Sequence, residues 1–95
     1  MRTRVHVFVS GLVQGVNFRM ATRREAEMRG VTGWVANAAD GRVEAVFEGE
    51  APDVQRLVDW CHHGPSRARV DRVEVQTEPY VGEFDSFDII HGPGW

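Results

Sequence analysis

Apolar and polar residues alternate in the first ten positions of the chain. The alternating sets are Val5, Val7 and Val9 on one side and His6, Phe8 and Ser10 on the other. A period of two residues is typical of a strand that buries one of its faces. The pattern therefore predicts a first strand over residues 4–10, with its valine face in the core.

A helical spacing of three and four residues follows twice. The clearer helix has the apolar set Val54, Leu57, Val58 and Cys61. Pro52 falls in its first turn, and Gly64-Pro65 lies just past its end. An earlier helix is predicted over residues 18–29, between Asn17 as a capping residue and Gly30 as a stop signal. The apolar face of that helix is weak and consists of Phe18, Ala21, Thr22 and Ala26.

The rest of the chain predicts four more strands. Residues 31–37 and 42–49 form a hairpin around an Asp40-Gly41 turn. Val73, Val75 and Thr77 alternate in a fourth strand, in which Val70 is out of phase and indicates a bulge. A short strand over residues 86–90 ends the series. This order is typical of an α+β, ferredoxin-like βαββαβ sandwich. We expect two helices on one face of an antiparallel sheet, with a short extra C-terminal strand.

Composition places these elements in one small domain. The 95 residues, of which 42% are hydrophobic, suit a single domain over residues 1–95. No apolar run approaches the ~20 residues of a membrane span, and the N-terminus lacks a signal-peptide layout. We therefore expect a cytoplasmic protein without membrane contact. We also expect a monomer. The net charge of −3 gives no general attraction to nucleic acid. Cys61, the single cysteine, is expected to be a core thiol.

Gly11 and Gly15 bound a loop between the first strand and the first helix. A helix N-terminus presents unpaired N–H groups and the positive end of the helix dipole, and both favour an anion. Arg19 would add a planar guanidinium that matches two phosphate oxygens. The Walker pattern does not fit, because Val16-Asn17 follows Gly15 where a Lys-Ser/Thr pair is required. From spacing alone, a purely structural loop beside a solvated Arg19 is the better-supported interpretation.

Two motifs favour the phosphate site instead. The segment Val9-Ser10-Gly11-Leu12-Val13-Gln14-Gly15-Val16-Asn17-Phe18-Arg19 closely resembles the signature of the acylphosphatase family. The segment Gly33-Trp34-Val35-Ala36-Asn37-Ala38-Ala39-Asp40-Gly41-Arg42-Val43-Glu44 is similar to that family's second signature. Agreement continues through Gly64-Pro65, Ala68-Arg69-Val70 and the ending with Phe84, Phe87 and Ile89. The resemblance covers nearly the whole chain, and its fold agrees with the predicted one.

The resemblance implies a metal-independent hydrolase of acyl phosphates that uses no cofactor. It implies that Arg19 and the loop amides bind the phosphoryl group, while Asn37 positions the attacking water. The amides are those of Gly15, Val16, Asn17, Phe18 and Arg19. Inorganic phosphate or sulfate is expected to compete for the site. A carboxylate leaving group needs little protonation near neutral pH, so positioning and electrostatics can do most of the catalysis.

The chain departs from the family's pattern at Ala36, where arginine or lysine commonly precedes the asparagine, and in the tail of residues 91–95. Strand alternation points Ala36 away from the face that carries Asn37. We therefore expect Ala36 to tune affinity more than chemistry. Trp34 is close to Asn37 in sequence and is interpreted as either an acyl contact or packing, with packing as the default. His6 is interpreted as structural.

Two other functions compete with this interpretation. RNA-recognition domains have the same element order. The third strand would present either Val43, Ala45 and Phe47 or Glu44, Val46 and Glu48, and the second of these faces would repel a phosphate backbone. Aromatic stacking positions are missing, so this alternative ranks low. A phosphatase of carbamoyl phosphate is the closer alternative, because acylphosphatase-like modules also occur inside larger hydrogenase-maturation proteins. The short chain argues against that context.

Overall fold

The computed structural model describes residues 1–91, which form five strands and two helices. In chain order they are β1 Arg2–Leu12, α1 Phe18–Met28, β2 Thr32–Asn37, β3 Val43–Glu50, α2 Ala51–Cys61, β4 Arg69–Glu78 and β5 Phe87–Ile89. The predicted order of elements is confirmed. A single domain over residues 1–95 stays a prediction, since the last four residues of the atypical tail lie outside the described residues.

One sheet contains all five strands in the order β4-β1-β3-β2-β5. β1 pairs antiparallel with β3 and β4, and β2 pairs antiparallel with β3, so the predicted antiparallel arrangement holds for four strands. The extra C-terminal strand is present but pairs parallel with β2, which makes the complete sheet mixed. The chain crosses from one edge of the sheet to the other between β4 and β5, and such a crossover permits parallel pairing.

The core lies between the two helices and one face of the sheet. The predicted valine face of β1 is buried, with Val7 and Val9 only 0% and 1% exposed. Phe47 of β3 and Leu57 of α2 are fully buried in the same cluster. α1 contacts β2 and β5, α2 contacts β1 and β3, and the two helices contact each other. Neither helix of residues 1–91 is long and apolar enough to cross a membrane.

The start of α1 differs from the prediction. Asn17 has φ 70° and ψ 24°, in the left-handed region, and its side chain makes no capping hydrogen bond. A capping side chain reaches the helix amides from an extended backbone conformation, which Asn17 does not adopt. The prediction of a side-chain cap was therefore wrong. α1 ends at Met28, and Gly30 follows with φ 68°, as expected of a stop signal.

The predicted bulge in β4 is confirmed, and it lies opposite the start of the loop. Ser10 pairs with Arg72 and Gly11 with Val70, so Asp71 is the extra residue of β4. Gly11 has φ +128°, and a Cβ atom there would lie 2.2 Å from the Arg69 carbonyl oxygen. Only glycine allows β1 and β4 to approach this closely, and the loop leaves the sheet directly after this point.

The second face of the sheet carries ion pairs rather than helices. The Arg4 guanidinium contacts the carboxylates of Glu48, Glu78 and Glu83. The hydrogen bond from Arg4 lowers the pKa of the Glu78 carboxyl. Glu48 is 1% exposed, and its Oε2 atom also accepts from the backbone N–H groups of Val81 and Gly82, at 3.2 and 3.3 Å. These contacts fasten the crossover before β5 to the sheet.

We expect Gly11→Ala to destabilise the fold by about 2 kcal/mol or more, because the methyl group would meet backbone atoms that cannot rotate away. Gly49→Ala is the matched control: a Cβ atom at Gly49 would meet Val31 at 3.6 Å, an ordinary contact distance. Its cost should stay below about 1 kcal/mol. Urea unfolding of the two variants checks this, and equal losses of stability would contradict the role given to the close approach.

Candidate active site

Three buried side chains anchor the loop between β1 and α1 in the core. Val13, Val16 and Phe18 are 1%, 8% and 2% exposed. The Phe18 ring packs against Trp60 of α2, with ring centroids 5.5 Å apart. Gly15 and Asn17, which lie between these anchors, are exposed and have φ angles of 75° and 70°. The left-handed conformations turn the backbone so that apolar side chains point inward while the chain between them faces solvent.

The amide groups of this loop are unpaired. Ala21 donates the first hydrogen bond of α1, to the Asn17 carbonyl at 3.1 Å. Among residues 1–91, the backbone N–H groups of residues 15–20 have no hydrogen-bond acceptor. Such groups at a helix N-terminus, together with the helix dipole, bind an anion. The loop therefore offers several fixed donors within one short segment.

Arg19 is the cation beside these amides. Its side chain is half-buried, and it forms no ion pair or hydrogen bond with any described residue. Most other arginines in residues 1–91 do have acidic partners: Arg2, Arg4, Arg29, Arg42, Arg56, Arg69 and Arg72. A guanidinium that is partly withdrawn from water without a carboxylate partner is available to an external anion.

Asn37, the last residue of β2, lies beside the loop and Arg19. It pairs with Val43, so its side chain lies on the helix-covered face of the sheet. Its Oδ1 atom is buried and has no hydrogen-bond partner among the described residues. Leaving a buried carbonyl oxygen unpaired costs about 1–3 kcal/mol, which water or a ligand donor would recover. The Asn37 side-chain amide therefore lines the pocket with one polar atom that no described residue satisfies.

Gln14 connects the loop to the turn that follows Asn37. Its Nε2 group donates to the carbonyl oxygens of Ala38 and Arg42, at 2.9 and 3.0 Å. These bonds span 24 and 28 residues of sequence and fix the distance between the two halves of the site. Sequence reasoning placed Gln14 inside the motif but assigned it no task, because its partners are backbone atoms that carry no residue signature.

These groups meet in one open pocket. It is lined by Val13, Gly15, Asn17, Phe18, Arg19, Met20, Asn37 and Ile89. Its cavity volume is about 240 Å³, below the roughly 300–1,000 Å³ of sites for drug-sized ligands, which favours a small ligand. The structure thus brings together five of the predicted site residues: Gly15, Asn17, Phe18, Arg19 and Asn37. Val16 is the exception, since its side chain is buried and it can contribute only its amide.

Trp34 and His6 lie outside the pocket. Trp34 pairs with Val46 and meets His6 edge to face, with ring centroids 6.0 Å apart. The His6 Nε2 atom lies 2.7 Å from Glu44 Oε2, and its Nδ1 atom lies 3.3 Å from Glu78 Oε2. All of these side chains occupy the face of the sheet that Asn37 does not share. Trp34 is therefore a packing residue, and the structural interpretation of His6 agrees with its place in this network.

Two further residues behave as the sequence predicts. Ala36 pairs with Glu44 and lies on the opposite face from Asn37, where it is 2% exposed. Cys61 is 1% exposed, and burial raises the pKa of its thiol to about 12, so it is a core group. Across residues 1–91, no group of three or more histidine, cysteine, aspartate or glutamate side chains is arranged to hold a metal ion.

Comparison with known proteins identifies the family of the chain. The family model described as Acylphosphatase matches residues 5–89. An acylphosphatase of Geobacter sulfurreducens is 57% identical over 94% of this chain and 98% of its own length. One from Roseiflexus sp. is 59% identical over 92% and 94%. The solved structure of an acylphosphatase from Coxiella burnetii superposes with a TM-score of 0.88 at 39% identity, over 94% of this chain and 93% of its own. With the fold and both motifs in register, the chain belongs to the acylphosphatase family.

Proposed function

We propose that Arg19 and the amides of residues 15–19 hold the phosphoryl group of an acyl phosphate, and that Asn37 orients the water that attacks it. The reaction class follows from the family: the chain is an acylphosphatase, a hydrolase acting on the carboxyl–phosphate anhydride bond. The observation that carries the assignment of roles is the convergence of an unpaired guanidinium, unpaired amides and the Asn37 side chain on one pocket.

Fixed donors suit this reaction. In a loose transition state, negative charge is spread over the oxygens of the transferring phosphoryl group. The loop amides and the Arg19 guanidinium are in place before the reaction begins, so they stabilise that charge without reorganising. The carboxylate product is a weak base and leaves without a proton from the protein, which removes the need for a general acid.

Asn37 works by orientation, because its amide does not titrate usefully. Its side-chain carbonyl and NH2 groups can each hydrogen-bond to water, and the fixed position of this amide at the end of β2 orients the water in line with the phosphorus–oxygen bond that breaks. A phosphoryl oxygen of the substrate accepts the proton that the water loses. The products are a carboxylate and inorganic phosphate.

The face of the sheet that the helices do not cover gives little support to nucleic-acid binding. The central strands β1 and β3 present Phe8 together with Glu44 and Glu48 there. The Phe8 ring stacks on His6, and the Arg42 guanidinium lies 4.3 Å from its centroid. An aromatic ring already covered in this way, beside carboxylates, is a poor platform for a base. Absence of nucleic-acid binding remains a prediction.

The proposal also covers cofactors, oligomeric state, location and competing anions. We expect the enzyme to need no metal or cofactor, because the reaction requires only fixed donors and a positioned water. A cytoplasmic location and a monomeric state stay predictions. Inorganic phosphate and sulfate should act as competitive inhibitors, since each presents the tetrahedral oxygens that the loop amides and Arg19 are placed to bind.

Arg19→Ala should lower kcat/KM for benzoyl phosphate by about a thousandfold or more, since the bound phosphoryl group loses the one cation that lines the pocket in the described part of the chain. Stability should change by less than about 0.5 kcal/mol, because Arg19 has no partner among residues 1–91. The assay is run in excess chelator, with p-nitrophenyl phosphate and carbamoyl phosphate alongside.

Arg24→Ala is the matched control, because Arg24 is an exposed arginine of the same helix without an ion pair among the described residues. It should retain wild-type turnover of benzoyl phosphate. Retention of activity by Arg19→Ala, or loss of wild-type activity on adding chelator, would contradict the proposal.

Asn37→Ala should reduce kcat for benzoyl phosphate by about a hundredfold or more, while the inhibition constant of inorganic phosphate stays within about threefold of wild type. The reason is that phosphate binding depends on the loop and Arg19, whereas water alignment depends on Asn37. Steady-state kinetics with phosphate as inhibitor separates the two effects. A parallel loss of phosphate binding would place Asn37 on the substrate instead of the water.

Gln14→Leu should reduce kcat by about tenfold and stability by about 1 kcal/mol, because two backbone carbonyls lose their donor and the turn after Asn37 is released from the loop. Phosphate inhibition should change little. Gln55→Leu, at an exposed position on α2, is the control and should leave kcat unchanged. If kcat of Gln14→Leu equalled that of wild type, the link through Gln14 would have no part in positioning Asn37.

A further inference from the structure

One wall of the pocket is apolar and is not used by the proposed chemistry. Its apolar lining residues are Val13, Phe18, Met20 and Ile89. Val13 and Phe18 are almost fully buried, so their side chains belong to the core. Met20 is 43% exposed and Ile89 is half-buried. Met20 and Ile89 therefore supply the apolar surface that a bound ligand can reach.

These two side chains flank the polar groups of the site. Met20 follows Arg19 in the first turn of α1. Ile89 of β5 pairs with Val35, two residues before Asn37 in β2. A single exposed methionine is common on protein surfaces and carries no meaning alone. Here it shares a pocket with a second apolar side chain from another element, next to the groups that hold phosphate.

The charges that line the pocket also favour an apolar ligand beside the phosphoryl group. Arg19 is the pocket's only charged lining residue within residues 1–91, and the phosphoryl group uses that charge. Among the described residues, the pocket has no second cation for a carboxylate on the acyl group and no acidic side chain for an amine. Trp34, the other candidate for an acyl contact, lies on the opposite face of the sheet.

We propose that Met20 and Ile89 bind the acyl group of the substrate, and that this acyl group is apolar, either aromatic or branched aliphatic. The inference rests on the proposed function, since it requires the phosphoryl group to lie at Arg19. Burial of apolar surface against the two side chains favours such substrates over acetyl phosphate. Methionine is unbranched and flexible, so the wall selects for apolar character more than for one particular shape.

The test compares benzoyl phosphate with acetyl phosphate in four variants. Met20→Ser should lower kcat/KM for benzoyl phosphate about three- to tenfold and leave that for acetyl phosphate within about twofold. Met20→Leu keeps an apolar side chain of similar size and should retain the wild-type ratio of the two substrates. Met28→Ser is the matched control, because Met28 is 66% exposed at the other end of the same helix. It should change neither substrate.

The fourth variant, Arg19→Ala, distinguishes failure of the acyl site from failure of the proposed phosphate site. If Arg19→Ala is inactive while Met20→Ser keeps the wild-type benzoyl-to-acetyl ratio, the acyl site is wrong and the phosphate site stands. If Arg19→Ala hydrolyses benzoyl phosphate normally, the phosphate site itself fails. A fall in the ratio for Met20→Ser, restored by Met20→Leu and absent in Met28→Ser, supports the acyl site.

Discussion

The pocket depends on how the loop between β1 and α1 is fastened to the core. Val13, Val16 and Phe18 are buried, and between them Gly15 and Asn17 hold left-handed backbone conformations. This combination points the apolar side chains inward and leaves a run of unpaired amides facing solvent. Burial of the three apolar side chains holds the loop backbone in this conformation. The proposed anion site is thus a consequence of packing.

The second half of the site is positioned by sheet register. Asn37 is the last residue of β2, and its pairing with Val43 places its side chain on the helix-covered face. A shift of one residue would move it to the other face and remove it from the pocket. Gln14 then ties the turn after Asn37 to the loop through two backbone carbonyls. Two segments far apart in sequence are held together by main-chain geometry, which is what the proposed alignment of a water with a bound phosphoryl group requires.

Sequence periodicity predicted what depends on local burial. The valines of β1, the apolar stripe of α2 and the bulge of β4 were all read from spacing, because each reflects which side of one element faces the core. The parallel pairing of β5 was not predictable in this way, since it depends on a crossover between opposite edges of the sheet. The left-handed Asn17 was misinterpreted as a side-chain cap, because its conformation is imposed by the anchors around it.

Only part of the candidate site could be predicted from the sequence, because the rest depends on tertiary contacts. Arg19 and Asn37 were identified through motif resemblance, whereas spacing alone favoured a structural loop. The bonds of Gln14 go to carbonyls of other segments, and the exposure of Met20 matters only beside Ile89, which arrives on the last strand. Both features require the folded chain. The sequence determines them, but through tertiary contacts that no local pattern encodes.

The central claim is that the loop amides and Arg19 form the anion site. The most direct measurement is titration of the ¹⁵N-labelled protein with inorganic phosphate, followed by two-dimensional NMR. The largest shifts should occur at the backbone amides of residues 15–20 and at the Arg19 Nε group, with small changes around His6 and Phe8 on the other face of the sheet. Shifts centred on that other face, or a loop unaffected by saturating phosphate, would contradict the account.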